Sequence, residues 1–169
     1  LYPCDAMSTE RLVMAAAAHK GMVYIRTTRP ATPVIYGADE KFEIGGSKVI
    51  RDAPLAVATI VAAGITVFEA LKASDELLEA GTPIRVIDAY SIEPVDVATL
   101  VDSARQTGNA LITVEDHYVN GGLGDAVSAA VSALGIQVHR LAVKDIPRSG
   151  QPDELFDRYG ISTTHIVAT

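Results

Sequence analysis

Tryptophan is absent from the chain, cysteine occurs once, and aromatic residues make up only 5% of it. A lone cysteine, Cys4, excludes an intramolecular disulfide and a cysteine-rich zinc site. Basic residues are also scarce: 14 Lys and Arg stand against 21 Asp and Glu, for a net charge of −7. Nucleic acid would be repelled by such a surface, and no run of Lys and Arg compensates. No apolar run approaches the roughly 18 residues that span a bilayer. Leu1–Lys20 lacks the basic start and apolar core of a secretory signal. These absences leave a soluble protein of a reducing compartment, the cytoplasm, as the expectation, with neither nucleic acid nor membrane as a partner.

What is plentiful is small and apolar. Hydrophobic residues make up 49% of the 169 positions, enough for one full core or for one domain plus part of a second. Small side chains in that proportion suit helices packed closely on a sheet. The organising stretch is Ala110–Leu134. Ala110–Val114 reads as a strand buried on both faces. A polar, glycine-rich turn follows, and then Leu123, Val127, Ala130, Val131 and Leu134 recur at helical spacing.

The same alternation runs along the rest of the chain. Ser8 is the expected N-cap of a first helix that ends at His19-Lys20-Gly21. Met22–Ile25 is an expected strand, with a further short strand considered at Val34–Tyr36. Ala31–Gly46, with Pro33, Gly37, Gly45 and Gly46, reads as a linker running up to a strand at Ser47–Ile50. Ala56–Ala62, Ile84–Ile87 and Gln137–Val143 are further strands. Thr66 and Glu69 have the spacing of a capping box for a helix closed by Gly81. Pro94 fits the first position of a helix through Arg105 that is closed by Gly108, and Pro152 opens a helix to Tyr159. Helices of this length between strands imply right-handed crossovers. The expected fold is therefore α/β, a mostly parallel sheet with helices on both faces. The chain starts at Leu1 before a Tyr2-Pro3 turn, and Ile161–Thr169 reads as a helix start with no closing signal, so a fragment of a longer protein is expected.

Four groups of residues could carry chemistry. Arg26 and Arg29, in I-R-T-T-R-P at a strand's end, have the fork geometry for a phosphate or carboxylate; an ion pair or a carbonyl clamp is the alternative. Glu115, Asp116 and His117 combine carboxylates with an imidazole, the material of a general base or a metal site. Neighbours at a strand end point in different directions, however, which favours a role in holding the loop or an interface. Gly121-Gly122-Leu123-Gly124 at a helix start has some likeness to a phosphate-cradling turn, but lacks the six-position dinucleotide pattern and the P-loop Lys. Glycines there also serve tight turns and close packing. The Ala63-Gly64-Ile65-Thr66 turn has the same weak claim. Cys4 has no activating neighbour, and His19, His139 and His165 are isolated. No G-x-S-x-G elbow presents a nucleophile.

Six blocks carry a resemblance. Y-P-C-D-A-M-S-T-E, G-M-V-Y-I-R-T-T-R-P, F-E-I-G-G-S-K-V-I, I-R-V-I-D-A-Y-S-I-E-P-V-D, L-I-T-V-E-D-H-Y-V-N-G-G-L-G-D-A-V and A-V-K-D-I-P-R-S-G-Q-P-D-E-L resemble the carboxyl-terminal part of a transketolase of the animal-type branch, in the family's order. The resemblance implies that residues 1–31 end a pyrimidine-binding domain and that 32–46 link it to a carboxyl-terminal domain over 47–169. That domain would be a five-stranded sheet with one antiparallel strand. It implies ketol transfer between sugar phosphates on thiamine diphosphate with Mg²⁺ or another divalent cation, both held by regions whose motifs this sequence lacks. It implies a homodimer, an inactive isolated chain, and a missing amino-terminal region or subunit as partner. Arg29 matches the family arginine that binds the substrate's phosphate; Arg26 gains no such support, and no catalytic, cofactor or metal residue is carried over. One departure is Ala62-Ala63-Gly64, where the family often has G-A-G. The alternatives are a stand-alone interaction or dimerisation module, or the equivalent domain of a 1-deoxyxylulose 5-phosphate synthase or a 2-oxo acid dehydrogenase β subunit. The I-R-T-T-R-P and V-E-D-H-Y blocks favour transketolase over these enzymes.

Overall fold

The computed structural model describes residues 1–169. Its centre is a five-stranded sheet of β1 (Lys48–Arg51), β2 (Thr59–Ala62), β3 (Arg85–Asp88), β4 (Ala110–Tyr118) and β5 (Gln137–Val143), in the order β1-β3-β2-β4-β5. β2, β3, β4 and β5 run parallel, and β1 closes one edge antiparallel to β3. The helices are α1 (Ala6–Ala18), α2 (Thr66–Glu79), α3 (Val97–Gln106), α4 (Leu123–Val131), α5 (Pro152–Arg158) and α6 (Thr163–Val167). No helix is long and apolar enough to cross a membrane.

Strand alternation divides the core into two layers. Ile60, Ala62, Val86, Ile112 and Val114 face one side, where α2 packs with Val67, Ala70 and Ala73 and α6 with Ile166. Val61, Ile87 and Leu111 face the other, under Leu100 and Ala104 of α3 and Val127 and Val131 of α4. β2, β3 and the start of β4 are buried on both faces, including Arg85 and Asp88 at the two ends of β3.

Several local readings change. α1 starts before Ser8: Asp5 is the N-cap, its carboxylate accepts the Ser8 amide at 2.7 Å, and Ser8 Oγ accepts the Asp5 amide at 3.1 Å. Met22–Ile25 forms no strand, because no neighbouring strand completes its ladder. Near it, the Leu1 nitrogen donates to the Tyr24 carbonyl at 2.7 Å and the Arg26 amide donates to the Leu1 carbonyl at 2.9 Å. Val34–Tyr36 is not a strand either; the amides of Ile35 and Tyr36 donate to the Asp5 carboxylate. The T-x-x-E box of α2 does not close. Thr66 Oγ1 lies within hydrogen-bonding distance of the Ala63 and Val114 carbonyls. Glu69 reaches instead to α6, accepting the amide and hydroxyl of Thr163 at 2.8 and 2.7 Å. α3 starts after Pro94, with Asp96 as N-cap accepting the Thr99 amide. β4 runs four residues past Val114, to Tyr118, with an irregularity in its pairing to β5.

α1 belongs to this core rather than hanging from it, since Leu12 is fully buried in the layer that α2 and α6 cover. Leu12→Ala should lower the unfolding free energy by about 2–5 kcal/mol, the usual cost of a buried leucine. Urea unfolding checks this, and an unchanged midpoint would mean that α1 contributes nothing to the fold.

Candidate functional site

In an open parallel sheet, the crevice for a ligand forms at the carboxyl ends of the two strands from which the connections leave in opposite directions. Here those strands are β2 and β4: β2 connects to β3 on one side and β4 to β5 on the other. The amino-terminal segment of the chain fills this place. The Tyr2 ring lies over Gly64, whose φ of +57° suits glycine and whose Cα carries no room for a Cβ beside that ring. The Tyr2 hydroxyl donates to Asp116 Oδ2 at 3.1 Å.

Arg26 completes the closure. Its guanidinium meets the Asp116 carboxylate in a bidentate pair at 3.1 and 2.7 Å, and its carbon lies 4.5 Å from the centre of the Tyr2 ring. Such fork-to-fork pairing is stronger and more directional than a single contact. Of the two arginines in I-R-T-T-R-P, Arg26 is therefore committed to an intramolecular clamp. Arg29 is exposed and takes part in no hydrogen bond or ion pair. The structure separates the pair that the pattern had joined.

Glu115, Asp116 and His117 diverge. Glu115 is buried and turns toward α4, where it accepts the amides of Leu123 and Gly124 at 2.7 and 2.8 Å. Burial pushes its carboxyl above the usual range, opposed by those two amides. Asp116 turns to Arg26 and Tyr2, and exposed His117 places Nδ1 2.9 Å from the Tyr118 carbonyl. The glycine-rich turn is thus capped by the chain's own carboxylate, which takes the amides a phosphate would use. A Cβ on Gly122 would collide with Glu115 Oε2, and one on Gly124 would crowd both Glu115 and Arg140. These glycines serve a close approach of carboxylate to backbone. Arg140 holds the preceding loop by donating to the Val119 carbonyl and pairing with Asp125 at 2.9 Å.

The remaining candidates are quickly placed. Cys4 is buried, and desolvation with the nearby Asp88 carboxylate pushes its thiol far up. His165 is not isolated: its Nδ1 lies 2.9 Å from Ser162 Oγ. No group of three His, Cys, Asp or Glu is arranged to hold a metal ion. Between residues 1–26 and the strand ends lies a groove of about 640 Å³, lined by Tyr2, Tyr24, Ile92, Pro94 and His117 among others. Sequence reasoning missed Tyr2 and the pairing of Asp116. Neither leaves a local signal, because the partners are 114 and 90 residues apart.

Sheet order, a single antiparallel edge strand and helices on both faces define an α/β domain whose switch-point crevice is closed by its own amino-terminal segment. Residues 47–166 match the family model of the transketolase C-terminal domain, and the chain belongs to that family. It is 54% identical over 167 residues to transketolase-like protein 1 of Bos taurus and 45% identical over 167 residues to transketolase of Mus musculus. Those alignments cover 98% of this chain but only 28% and 27% of the two relatives. A split-gene transketolase solved as an inactive beta4 tetramer superposes with a TM-score of 0.92 at 38% identity, over 98% of this chain and 54% of that one.

Asp116→Ala should release both Tyr2 and Arg26 and cost about 1.5–3 kcal/mol, the range for hydrogen bonds to a charged group. Amide hydrogen exchange should then speed up at Tyr2, whose amide donates to the Tyr90 carbonyl, and around Arg26, while β2 and β3 stay protected. Unchanged exchange at Arg26 would show that the clamp does not hold the segment.

Proposed function

We propose that this chain is the carboxyl-terminal portion of a transketolase, the enzyme that moves a two-carbon ketol unit between sugar phosphates. On this reading residues 1–31 end the pyrimidine-binding domain, 32–46 connect, and 47–169 form the carboxyl-terminal domain. Arg29 supplies the cation that grips a substrate phosphate, setting orientation and specificity and taking no part in proton transfer. The observation that carries the reading is the state of Arg29: it stands exposed and unpaired three residues beyond the clamp that fixes Arg26, within a stretch similar to transketolases along 98% of the chain.

The family's thiamine diphosphate and divalent cation do not fit the residues present. No three ligating side chains converge, and the α4 amides that could receive a diphosphate are taken by Glu115. The cofactor and the chemistry it supplies therefore belong to residues outside this stretch, on the same chain or on another subunit. Exposed apolar side chains on the amino-terminal segment support such a partner: Met14 is 64%, Tyr24 79% and Met22 fully exposed, a burden that a covering surface would remove. The split-gene neighbour, an inactive beta4 tetramer, favours a chain that self-associates and is inactive alone. That fits the expected homodimer contacts as well as the alternative of an interaction module.

The test combines this chain with the cofactor-binding region of a transketolase as a separate polypeptide and measures ketol transfer. Activity should appear only in the mixture. Arg29→Ala should then raise KM for a phosphorylated acceptor by about 10- to 100-fold, as loss of a charged hydrogen bond of about 1.5–3 kcal/mol requires, with a smaller fall in kcat. Equal KM values in variant and parent would refute the assignment.

A further inference from the structure

Asp88, the last residue of β3, has no exposure to solvent. Its Oδ2 accepts the Tyr36 hydroxyl at 2.8 Å and the Cys4 thiol at 3.3 Å, and its buried Oδ1 has no partner. Cys4 and Tyr36 are themselves buried, so the contact joins the amino-terminal segment, the linker and the sheet away from bulk solvent. Aromatic rings cover it: Tyr36 and Phe42 meet edge to face at 4.9 Å, as do Phe42 and Tyr90. Lys48 of β1 lies over the Tyr36 and Phe42 rings, paired with Glu40 rather than with Asp88. Beside the cluster, Asp5 fastens the same two segments by accepting the Ile35 and Tyr36 amides, and Thr32 Oγ1 donates to the Cys4 carbonyl at 3.0 Å.

We propose that Asp88 is a proton-controlled latch that fastens the amino-terminal segment and the linker to the sheet while neutral and loosens them once ionised. The reason is solvation. A buried carboxylate with only neutral donors in contact and one oxygen unpaired is far costlier than the neutral acid, whereas an opened cluster lets water solvate the charge. Burial pushes the Asp88 carboxyl up to about 7; Tyr36, Cys4 and Lys48 pull it down and Asp5 pushes it further up. The other ionisable members titrate elsewhere. Burial would raise Asp5, but the donors from Ser8, Ile35 and Tyr36 hold it below the usual range. Burial drives Tyr36, Cys4 and Tyr90 upward, away from neutral pH. A group raised in the closed state stabilises that state fully below its free value. The contribution is lost as pH climbs, by about tenfold in the opening constant for each pH unit, until the raised value is passed.

Cys4 is the only cysteine and so reports the opening directly. Its alkylation by iodoacetamide is followed under native conditions across the acid-to-neutral range. Each rate is divided by that of the urea-unfolded chain at the same pH. The normalised rate should rise about tenfold per pH unit and level off near pH 7, while Asp88→Asn should give a flat profile. A flat profile in the parent chain would overturn the latch. Should the Asn variant fail to fold, the carboxyl carbon of Asp88 followed by NMR in the parent decides: a midpoint near 7 supports the latch, and one at the ordinary aspartate value of about 4 refutes it.

Discussion

The pairing of Arg26 with Asp116 is the contact on which the arrangement of this molecule depends. It sits where the connections from β2 and β4 part, the one place at which a parallel sheet of this order offers an open crevice. By holding Arg26, and through it the Tyr2 ring over Gly64, the carboxylate turns that crevice into a joint between two parts of the chain. The half-burial of the pair matters. A fully exposed ion pair is worth little, and a fully buried one costs nearly as much in desolvation as it returns. A bidentate pair between a side chain 36% exposed and one 18% exposed avoids both extremes.

Carboxylates toward the carboxyl ends of β3 and β4, the two strands that flank β2, do this work repeatedly. Asp88 ends β3 and gathers the Cys4 thiol and the Tyr36 hydroxyl. Glu115 leaves β4 toward the start of α4, and Asp116 leaves it toward Arg26. Each takes donors that a ligand could otherwise have engaged. The excess of acidic over basic residues is thus partly internal scaffolding. A domain that spends its strand-end carboxylates on its own amides and hydroxyls is suited to positioning a neighbouring segment, and Arg29 lies on that segment between the Arg26 clamp and the linker fastened by Asp5 and Asp88. This is the physical basis for the supporting role proposed above.

Much of the sheet was legible in the sequence because it obeys local rules. Gln137–Val143 is the strand the alternation predicts, and β3 lies within one residue of expectation. Both are bounded by turn residues and carry β-branched side chains. The failures at Met22–Ile25 and Glu69 share one cause, which is long-range partnership. Met22–Ile25 has the composition of a strand, but a strand exists only with a neighbour. Glu69 stands at capping-box spacing, but a threonine 94 residues away competes for it. Asp5 and Asp96 are legible as caps from D-x-x-S and D-x-x-T, local signals that compete with Ser8 and Pro94. At the site, the divergence of Glu115, Asp116 and His117 follows from strand geometry. That Arg26 is spent on Asp116 while Arg29 is left free could be learned only from the fold.

The central claim is that this stretch positions substrate and structure while the cofactor is held elsewhere. Calorimetric titration of the chain alone with thiamine diphosphate and Mg²⁺ tests it most directly. The account predicts heats no larger than those of dilution. Saturable one-site binding would contradict it, since it would require a diphosphate and metal site among residues that are committed here to one another.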